Sequence, residues 1–299
     1  MKKYALFLGC NIPARVFQYE ASARLVLKEL GVELVDIEEF SCCGPVPLRS
    51  LSFELFLSAG ARNLGLAEAQ GLDVMCLCSG CFSTLSDVNH HLKEDSELRA
   101  SINEKLAPFN VSYNAGIEVK HFLKVLYQDV GLENIKKRVV RRFDDLKIAT
   151  HYGCHTIRPS KVVQFDESFP PILFDKLVEA TGVESVPWAA KSACCGGPAI
   201  AVNESLALDL CQKKLADAKE WHADFLCTSC PFCQVQFDTM QAKIASERDQ
   251  KYDIPSILYS QLLGLAMDLD RELLGIDQNR LSLEKLESAL GPAQPKEAA

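Results

Sequence analysis

One cysteine pattern occurs twice in this 299-residue chain and constrains its fold more than any other feature. The first copy is Cys10, then the adjacent pair Cys42 and Cys43, then Cys78-Ser79-Gly80-Cys81; the second is Cys154, then Cys194 and Cys195, then Cys230-Pro231-Phe232-Cys233. Thirty-one residues separate Cys10 from Cys42 and 39 separate Cys154 from Cys194, whereas 34 residues lie between the adjacent pair and the Cys-x-x-Cys in both copies. The flanks repeat too: Tyr4-Ala-Leu-Phe-Leu-Gly-Cys10 parallels Ile148-Ala-Thr-His-Tyr-Gly-Cys154, Gly31-Val-Glu-Leu-Val35 parallels Gly182-Val-Glu-Ser-Val186, and Gly44 and Gly196 follow the pairs. Self-similarity of this kind means two like structural units, so each motif is half of a matched device. Ten of the 13 cysteines belong to it, five per copy, and Cys76, Cys211 and Cys227 lie outside.

Hydrophobic periodicity places the device on strand ends. Lys3 to Leu8, Glu33 to Ile37 and Asp73 to Leu77 are short apolar runs, and Tyr19 to Leu30 and Leu51 to Ala69 carry apolar residues at helical spacing. The second copy has strand patterns at Ile148 to Tyr152, Glu184 to Val186 and Ala223 to Cys227, with helices at Pro171 to Ala180 and Ile200 to Lys219. Alternating strands and helices predict an α/β fold of two pseudo-symmetric halves, each a mainly parallel sheet flanked by helices with its cysteine motif at the strand ends. The halves are expected at residues 1–135 and 146–270, with a C-terminal helix and flexible tail at 271–299. His121 to Val130 reads as a helix, and Ile257 to Met267 as an amphipathic or buried helix. The basic run from Lys136 to Arg142 between the halves reads as a solvated helix face or linker, with a docking patch for an acidic partner or anionic substrate as the rival.

An odd number of cysteines cannot pair completely within the chain, and a chain of this length needs no disulfide staples. The start, Met1-Lys2-Lys3 and five apolar residues before Gly9-Cys10, is too short for a secretory signal. A cytoplasmic protein with reduced thiols is expected, in which a cysteine-rich pattern points to metal or redox chemistry. No apolar run approaches the roughly 18 residues of a membrane span. A net charge of -8 and a pI near 5.4 argue against nonspecific nucleic-acid binding.

Two Cys-x-x-Cys pairs around one ion are the usual zinc signature, but each copy supplies one such pair, an adjacent pair and a remote single cysteine. Adjacent residues on an extended backbone point to opposite faces, which suits different irons of a polynuclear cluster better than one small ion. Five thiolates also exceed the four that a cubane cluster takes. An iron-sulfur centre with an unusual ligand set is the favoured reading, and a zinc-stabilised scaffold its rival from a different class.

The pattern Cys-x31-Cys-Cys-Gly-x33-Cys-x-x-Cys and its second copy resemble the duplicated cysteine-rich CCG domain, in particular the B subunits of heterodisulfide reductases. The likeness runs over roughly residues 3 to 265 and includes Asn89-His-His-Leu-Lys-Glu-Asp95, His121-Phe-Leu-Lys-Val-Leu-Tyr-Gln-Asp-Val-Gly131, His151-Tyr-Gly-Cys-His155 and Cys230-Pro-Phe-Cys-Gln-Val-Gln-Phe-Asp238. The resemblance implies two noncubane 4Fe-4S clusters, the first on Cys10, Cys42, Cys43, Cys78 and Cys81 and the second on Cys154, Cys194, Cys195, Cys230 and Cys233. It implies reductive cleavage of a small-molecule disulfide, the coenzyme M–coenzyme B heterodisulfide or a related disulfide or persulfide. It further implies a ferredoxin-like C-type subunit and a flavin- and iron-sulfur-containing A-type subunit as partners. Gly44-Pro-Val-Pro-Leu-Arg49 departs from the Pro-Ala-Pro-Gly-type segment of the methanogen pattern, which leaves the disulfide itself open. Other CCG-domain proteins imply an alternative, an electron-transfer subunit of a lactate or glycolate oxidation system or of a quinone-linked succinate or fumarate complex. The chain has no Gly-x-Gly-x-x-G between a strand and a helix, so no flavin or nicotinamide site of its own is expected.

His151 and His155 flank Cys154 and are the candidate catalytic residues, as proton donors to a leaving thiolate or as hydrogen-bond partners of a cluster sulfur. His121 reads as a packing or capping residue, and the neighbours His90 and His91 diverge on a helix. Arg49 and Arg158 read as surface ion-pairing groups. Cys76, Cys211 and Cys227 read as buried core thiols.

Overall fold

The computed structural model describes residues 2–143 and 145–293. Among these, the strands form two four-stranded sheets of one topology. The first runs β2 (Glu33–Val35), β1 (Lys3–Phe7), β3 (Asp73–Cys76), β4 (Val119–His121), and the second runs β6 (Glu184–Ser185), β5 (Lys147–His151), β7 (Phe225–Thr228), β8 (Ser256–Leu258). Every pairing is parallel, with Tyr4 opposite Asp73 and Ile148 opposite Phe225. Parallel neighbours need crossover helices, which cover both sheet faces and demand near-continuous apolar strands. The sequences Tyr4-Ala-Leu-Phe7 and Phe225-Leu-Cys-Thr228 meet that demand and are wholly buried.

Strand alternation sends neighbouring residues into two different cores. Leu6, Met75, Ile148 and Cys227 join helices Phe17–Glu29 and Tyr259–Ala266 in one apolar cluster, while Phe7, Val74, Cys76, Ala149 and Leu226 join Phe56, Phe82, Leu208 and Phe237 in the other. Both clusters draw on both halves, so the halves share their interiors. Buried hydroxyl pairs cross the same seam, Tyr19 Oη to Ser229 Oγ at 2.8 Å and Ser22 Oγ to Ser260 Oγ at 2.6 Å.

Several elements differ from the sequence expectation. The two edge strands β4 and β8 were not foreseen, because each is three residues long and runs straight into a helix. The stretch Ile257 to Met267 is therefore a strand end, Ile257 and Leu258, followed by helix Tyr259–Ala266. Leu51 to Ala69 is not one helix: Ser52 is extended and its Oγ accepts the Leu55 N–H, so Val46–Leu51 ends and Phe53–Glu68 begins at a capping serine. The expected helix from His121 to Val130 is present over residues 122–130, with His121 ending β4 and capping it, its Nδ1 accepting the Leu123 N–H at 3.2 Å. The basic run carries the short helix Leu132–Arg138, where Lys136 pairs with Glu133 and Arg138 with Glu29. Of the expected C-terminal helix only Glu284–Ser288 forms, and Leu290 bridges back to Phe143; residues 294–299 of the expected tail lie outside the described residues. No described helix is long and apolar enough to cross a membrane.

Candidate metal centre

Each sheet delivers its cysteines at the carboxyl ends of its strands. Chain direction after β1 and β5 leads into Cys10 and Cys154, the loops after β2 and β6 carry the adjacent pairs, and β3 and β7 lead into the Cys-x-x-Cys motifs. Cys78 and Cys230 occupy the residue just before helices Ser79–Glu94 and Pro231–Val235, and Cys81 and Cys233 sit in their first turns. Residues three apart on a helix share a face, and free N–H groups at a helix start favour thiolate there.

The adjacent cysteines diverge: Cys42 and Cys194 are exposed, Cys43 and Cys195 buried. Cys195 Sγ reaches Cys233 Sγ at 3.4 Å, and Cys43 makes the matching contact with Cys81. The turn that follows needs glycine. Gly196 has φ +87°, and a Cβ there would stand 2.7 Å from the Ala207 carbonyl oxygen and 2.9 Å from Gln236 Nε2. The N–H groups of Gly196 and Gly197 donate to Cys194 Sγ and Cys195 Sγ, each at 3.4 Å, forming an anion-receiving backbone concavity. Gly9, with φ +68°, lets the chain pass Cys81, whose Sγ would lie 2.7 Å from an added Cβ.

The ten cysteines thus form two nests of one plan. Each has a buried floor, Cys43, Cys78 and Cys81 or Cys195, Cys230 and Cys233, and a more open edge, Cys10 and Cys42 or Cys154 and Cys194. In the first half the open edge lines a cleft of about 540 Å³ with Gly9, Phe40, Ser41 and Arg24. The nests meet at Cys78 and Cys230, where the nearness of the two thiols raises Cys78 and lowers Cys230. Beside them Ser79 Oγ and Thr156 Oγ1 are 2.7 Å apart.

Crowded thiols share protons unevenly. Hydrogen bonds from Cys42 and then Cys81 hold the Cys43 thiol down to about 4, and those from Cys154 and then Cys195 hold Cys194 down to about 2. Cys233 and Cys78 likewise lower Cys230, while the donating partners Cys42, Cys78, Cys81, Cys154, Cys195 and Cys233 are pushed up. Buried or half-buried thiolate surrounded by further sulfur calls for a cation, since unpaired buried charge is costly. Soft sulfur donors suit iron-sulfur clusters or zinc, so the donor set fits a thiophilic metal centre.

Of the two flanking histidines, His151 ends β5 and is buried, with the rings of Phe237 at 5.1 Å and Trp188 at 6.4 Å. Burial pushes its pKa well below the usual range, so it is a neutral imidazole, and neither ring nitrogen completes a hydrogen bond among the described residues. One of its nitrogens, Cys195 Sγ and Cys233 Sγ all lie within 4.8 Å of one another. His155 is half-buried next to Cys154, with an unpartnered Nδ1.

Three further residues shape the nests without having been anticipated. Asn63 accepts the Ser41 N–H at 2.8 Å and donates to the Cys42 carbonyl at 3.2 Å, and Gln236 donates to the Cys195 carbonyl at 2.7 Å. Lys214 is buried, donates to the Ala190 carbonyl, and is lowered to about 8 by loss of solvent. The signal was a polar residue inside the apolar stripe of a crossover helix, which sequence alone does not separate from a solvated one. Arg49 pairs with Asp87 and Arg158 donates to the Ser192 carbonyl at 2.9 Å. Cys76, Cys211 and Cys227 are buried away from the open edges, and burial lifts the Cys211 thiol to about 12.

Residues 4–86 and 148–238 match the cysteine-rich domain family CCG. The chain is 38% identical over 284 residues to the B subunit of the ferredoxin/F(420)H(2)-dependent CoB-CoM heterodisulfide reductase of Methanosarcina acetivorans, covering 94% of each. It is 34% identical to the 8-methylmenaquinol:fumarate reductase membrane anchor subunit of Wolinella succinogenes, covering 95% of this chain and 99% of that one. A solved Helicobacter pylori hypothetical protein shares the fold with a TM-score of 0.74 at 21% identity, over 94% of this chain and 52% of that one.

Proposed function

The chain belongs to the duplicated CCG cysteine-rich-domain family of heterodisulfide reductase B subunits, and on that premise we propose that it is the iron-sulfur subunit that reductively cleaves a disulfide to two thiols. The supporting observation is the pair of five-thiol nests, each with a buried floor and an open edge, joined at Cys78 and Cys230. The first set, Cys10, Cys42, Cys43, Cys78 and Cys81, and the second, Cys154, Cys194, Cys195, Cys230 and Cys233, each hold a noncubane 4Fe-4S cluster. Held by these cysteines, such clusters would supply one-electron reducing equivalents and a Lewis-acidic iron. The overall change is R–S–S–R′ plus two electrons and two protons to RSH and R′SH.

The chain's own residues divide the remaining work. The exposed edges at Cys10, Cys42 and Cys194 admit a small molecule, and the buried floors keep water from the inner sulfurs. Gly196 and Gly197 N–H groups offset negative charge on Cys194 and Cys195. His155, beside the open Cys154, is placed to hand a proton to the product, whereas the deeply buried His151 sets one ring nitrogen beside the Cys195 and Cys233 sulfurs. Electrons come from a ferredoxin-like C-type subunit and, behind it, a flavin-containing A-type subunit, in the reducing cytoplasm. Anaerobically purified chain is expected to carry about eight irons with matching sulfide. Two zincs and no iron would contradict the proposal.

The Wolinella relative supports a second reading, an electron-transfer subunit of a quinone-linked fumarate or succinate complex. That reading requires the cluster signals to respond to quinone analogues and not to thiols.

A further inference from the structure

We infer that the two centres are electrostatically unequal and that the second half's is the easier to reduce, because buried Lys214 and the buried imidazole of His151 stand where the first half has partly exposed Arg62 and apolar Phe7. The inference deepens the iron-sulfur reading and rests on it.

The two halves correspond by equal sequence intervals along the crossover helices between the adjacent cysteines and the Cys-x-x-Cys motifs. Arg62 follows Cys43 by 19 residues and precedes Cys78 by 16, and Lys214 stands at the same two intervals from Cys195 and Cys230. Both cations tether the loop that carries the adjacent cysteines, Arg62 Nη1 donating to the Glu39 carbonyl at 2.8 Å and Lys214 Nζ to the Ala190 carbonyl. Their surroundings differ. Arg62 is partly exposed, and its other contact is Ser41 Oγ at 3.3 Å. Lys214 is 2% exposed, with its ammonium 4.8 Å from the centre of the Trp188 ring. A charge in such a setting acts through a low effective dielectric, while solvent and salt screen the exposed one. Asp217, the nearest carboxylate on the same helix, is half-exposed and accepts the Ala190 N–H at 2.8 Å, so solvent weakens its countercharge. Lys191, on the same loop, is paired with Asp175.

The second difference lies three residues ahead of each single cysteine, Phe7 before Cys10 and His151 before Cys154. Phe7 packs against Phe40 with ring centres 5.1 Å apart. His151, equally buried, sets one ring nitrogen within 4.8 Å of the Cys195 and Cys233 sulfurs, with the Lys191 carbonyl as the other acceptor beside the ring. One-electron reduction by an external low-potential donor adds negative charge to a centre. A buried cation and an N–H donor beside sulfur both favour that charge and raise the reduction potential. The first electron is accordingly held on the Cys154 side.

The test is a dithionite titration of the full, anaerobic, iron-loaded chain followed by electron paramagnetic resonance, with iron and sulfide assayed on the same sample. Wild type should show two separate reduction waves. Lys214→Met should lower the higher wave by at least tenfold in the reduction equilibrium, about 59 mV for a one-electron step, and leave the lower wave in place. Lys214→Arg should keep the wild-type pattern, and Arg62→Met should move neither wave. His151→Phe, which copies the first half, should lower the same wave and decides the question if Lys214→Met fails to assemble. A single wave in wild type, or a higher wave indifferent to both Lys214→Met and His151→Phe, overturns the inference while leaving the iron-sulfur reading intact. A chain without iron and sulfide overturns both.

Discussion

Single residues fix the nests through backbone demands that a cysteine count does not reveal. Gly196 combines a left-handed φ of +87° with close approach to the Ala207 carbonyl, whereas Gly31, at φ +73°, faces open space. Gly196→Ala is therefore expected to cost about 2 to 3 kcal/mol and to halve the bound iron, while Gly31→Ala costs only about 1 kcal/mol and keeps the full load. Thermal unfolding and iron analysis of the two variants check this. His121 supplies a pH signature: burial lowers it from 6.5 to about 4, so the unfolded chain takes up a proton there before the folded one does. Its contribution is present above pH 6.5 and is lost as pH falls through 4, up to about 3 kcal/mol. His121→Asn, which can still accept the Leu123 N–H, should flatten stability over that window in urea unfolding at a series of pH values.

At the scale of elements, the helix pair Phe53–Glu68 and Ser79–Glu94 holds the floor of the first nest against β3. They touch at Gly60, where an added Cβ would lie 2.6 Å from Val88 Cγ2 and 3.0 Å from its Cβ. Val88 is buried and cannot swing aside, so Gly60→Ala should lose about 1 to 2 kcal/mol despite alanine's better helix propensity, and Val88→Ala should restore most of it. A melting series of the two single variants and the double variant decides the point. The central strands and the crossover helices after β1, β2, β5 and β6 were legible in the sequence, because their apolar runs end at glycine and their intervals repeat, whereas helices Ser79–Glu94, Ser96–Leu106, Pro231–Val235 and Gln241–Arg248 were not read. Edge strands β4 and β8 were not, since three residues carry no period and Ile257 to Met267 merges a strand with a helix. The break at Ser52 hid inside continuous helical spacing. Convergence of each five-cysteine set followed from strand ends, but the contact between Cys78 and Cys230 depends on how the halves pack, which no local pattern encodes. The inequality of Arg62 and Lys214 was hidden as well: both are cations at matching positions, and only burial beside Trp188 separates them.

In the whole molecule, each apolar core uses strands of both sheets, so the two nests are held by a common interior. Loss of metal from either should leave partly buried thiolates without a countercharge and lower the stability of the entire chain. Shared interiors also keep Cys78 and Cys230 in contact, which gives two similar centres one joint edge instead of two separate ones. That geometry matches a reaction in which one S–S bond yields two thiolates. Disulfide cleavage at the joined nests is tested most directly by electron paramagnetic resonance of the anaerobic, iron-loaded chain titrated with candidate thiols and, separately, with quinone analogues. A new paramagnetic state is expected that saturates with a particular thiol and is untouched by quinones. Spectra that answer to quinone analogues and ignore every thiol would contradict it.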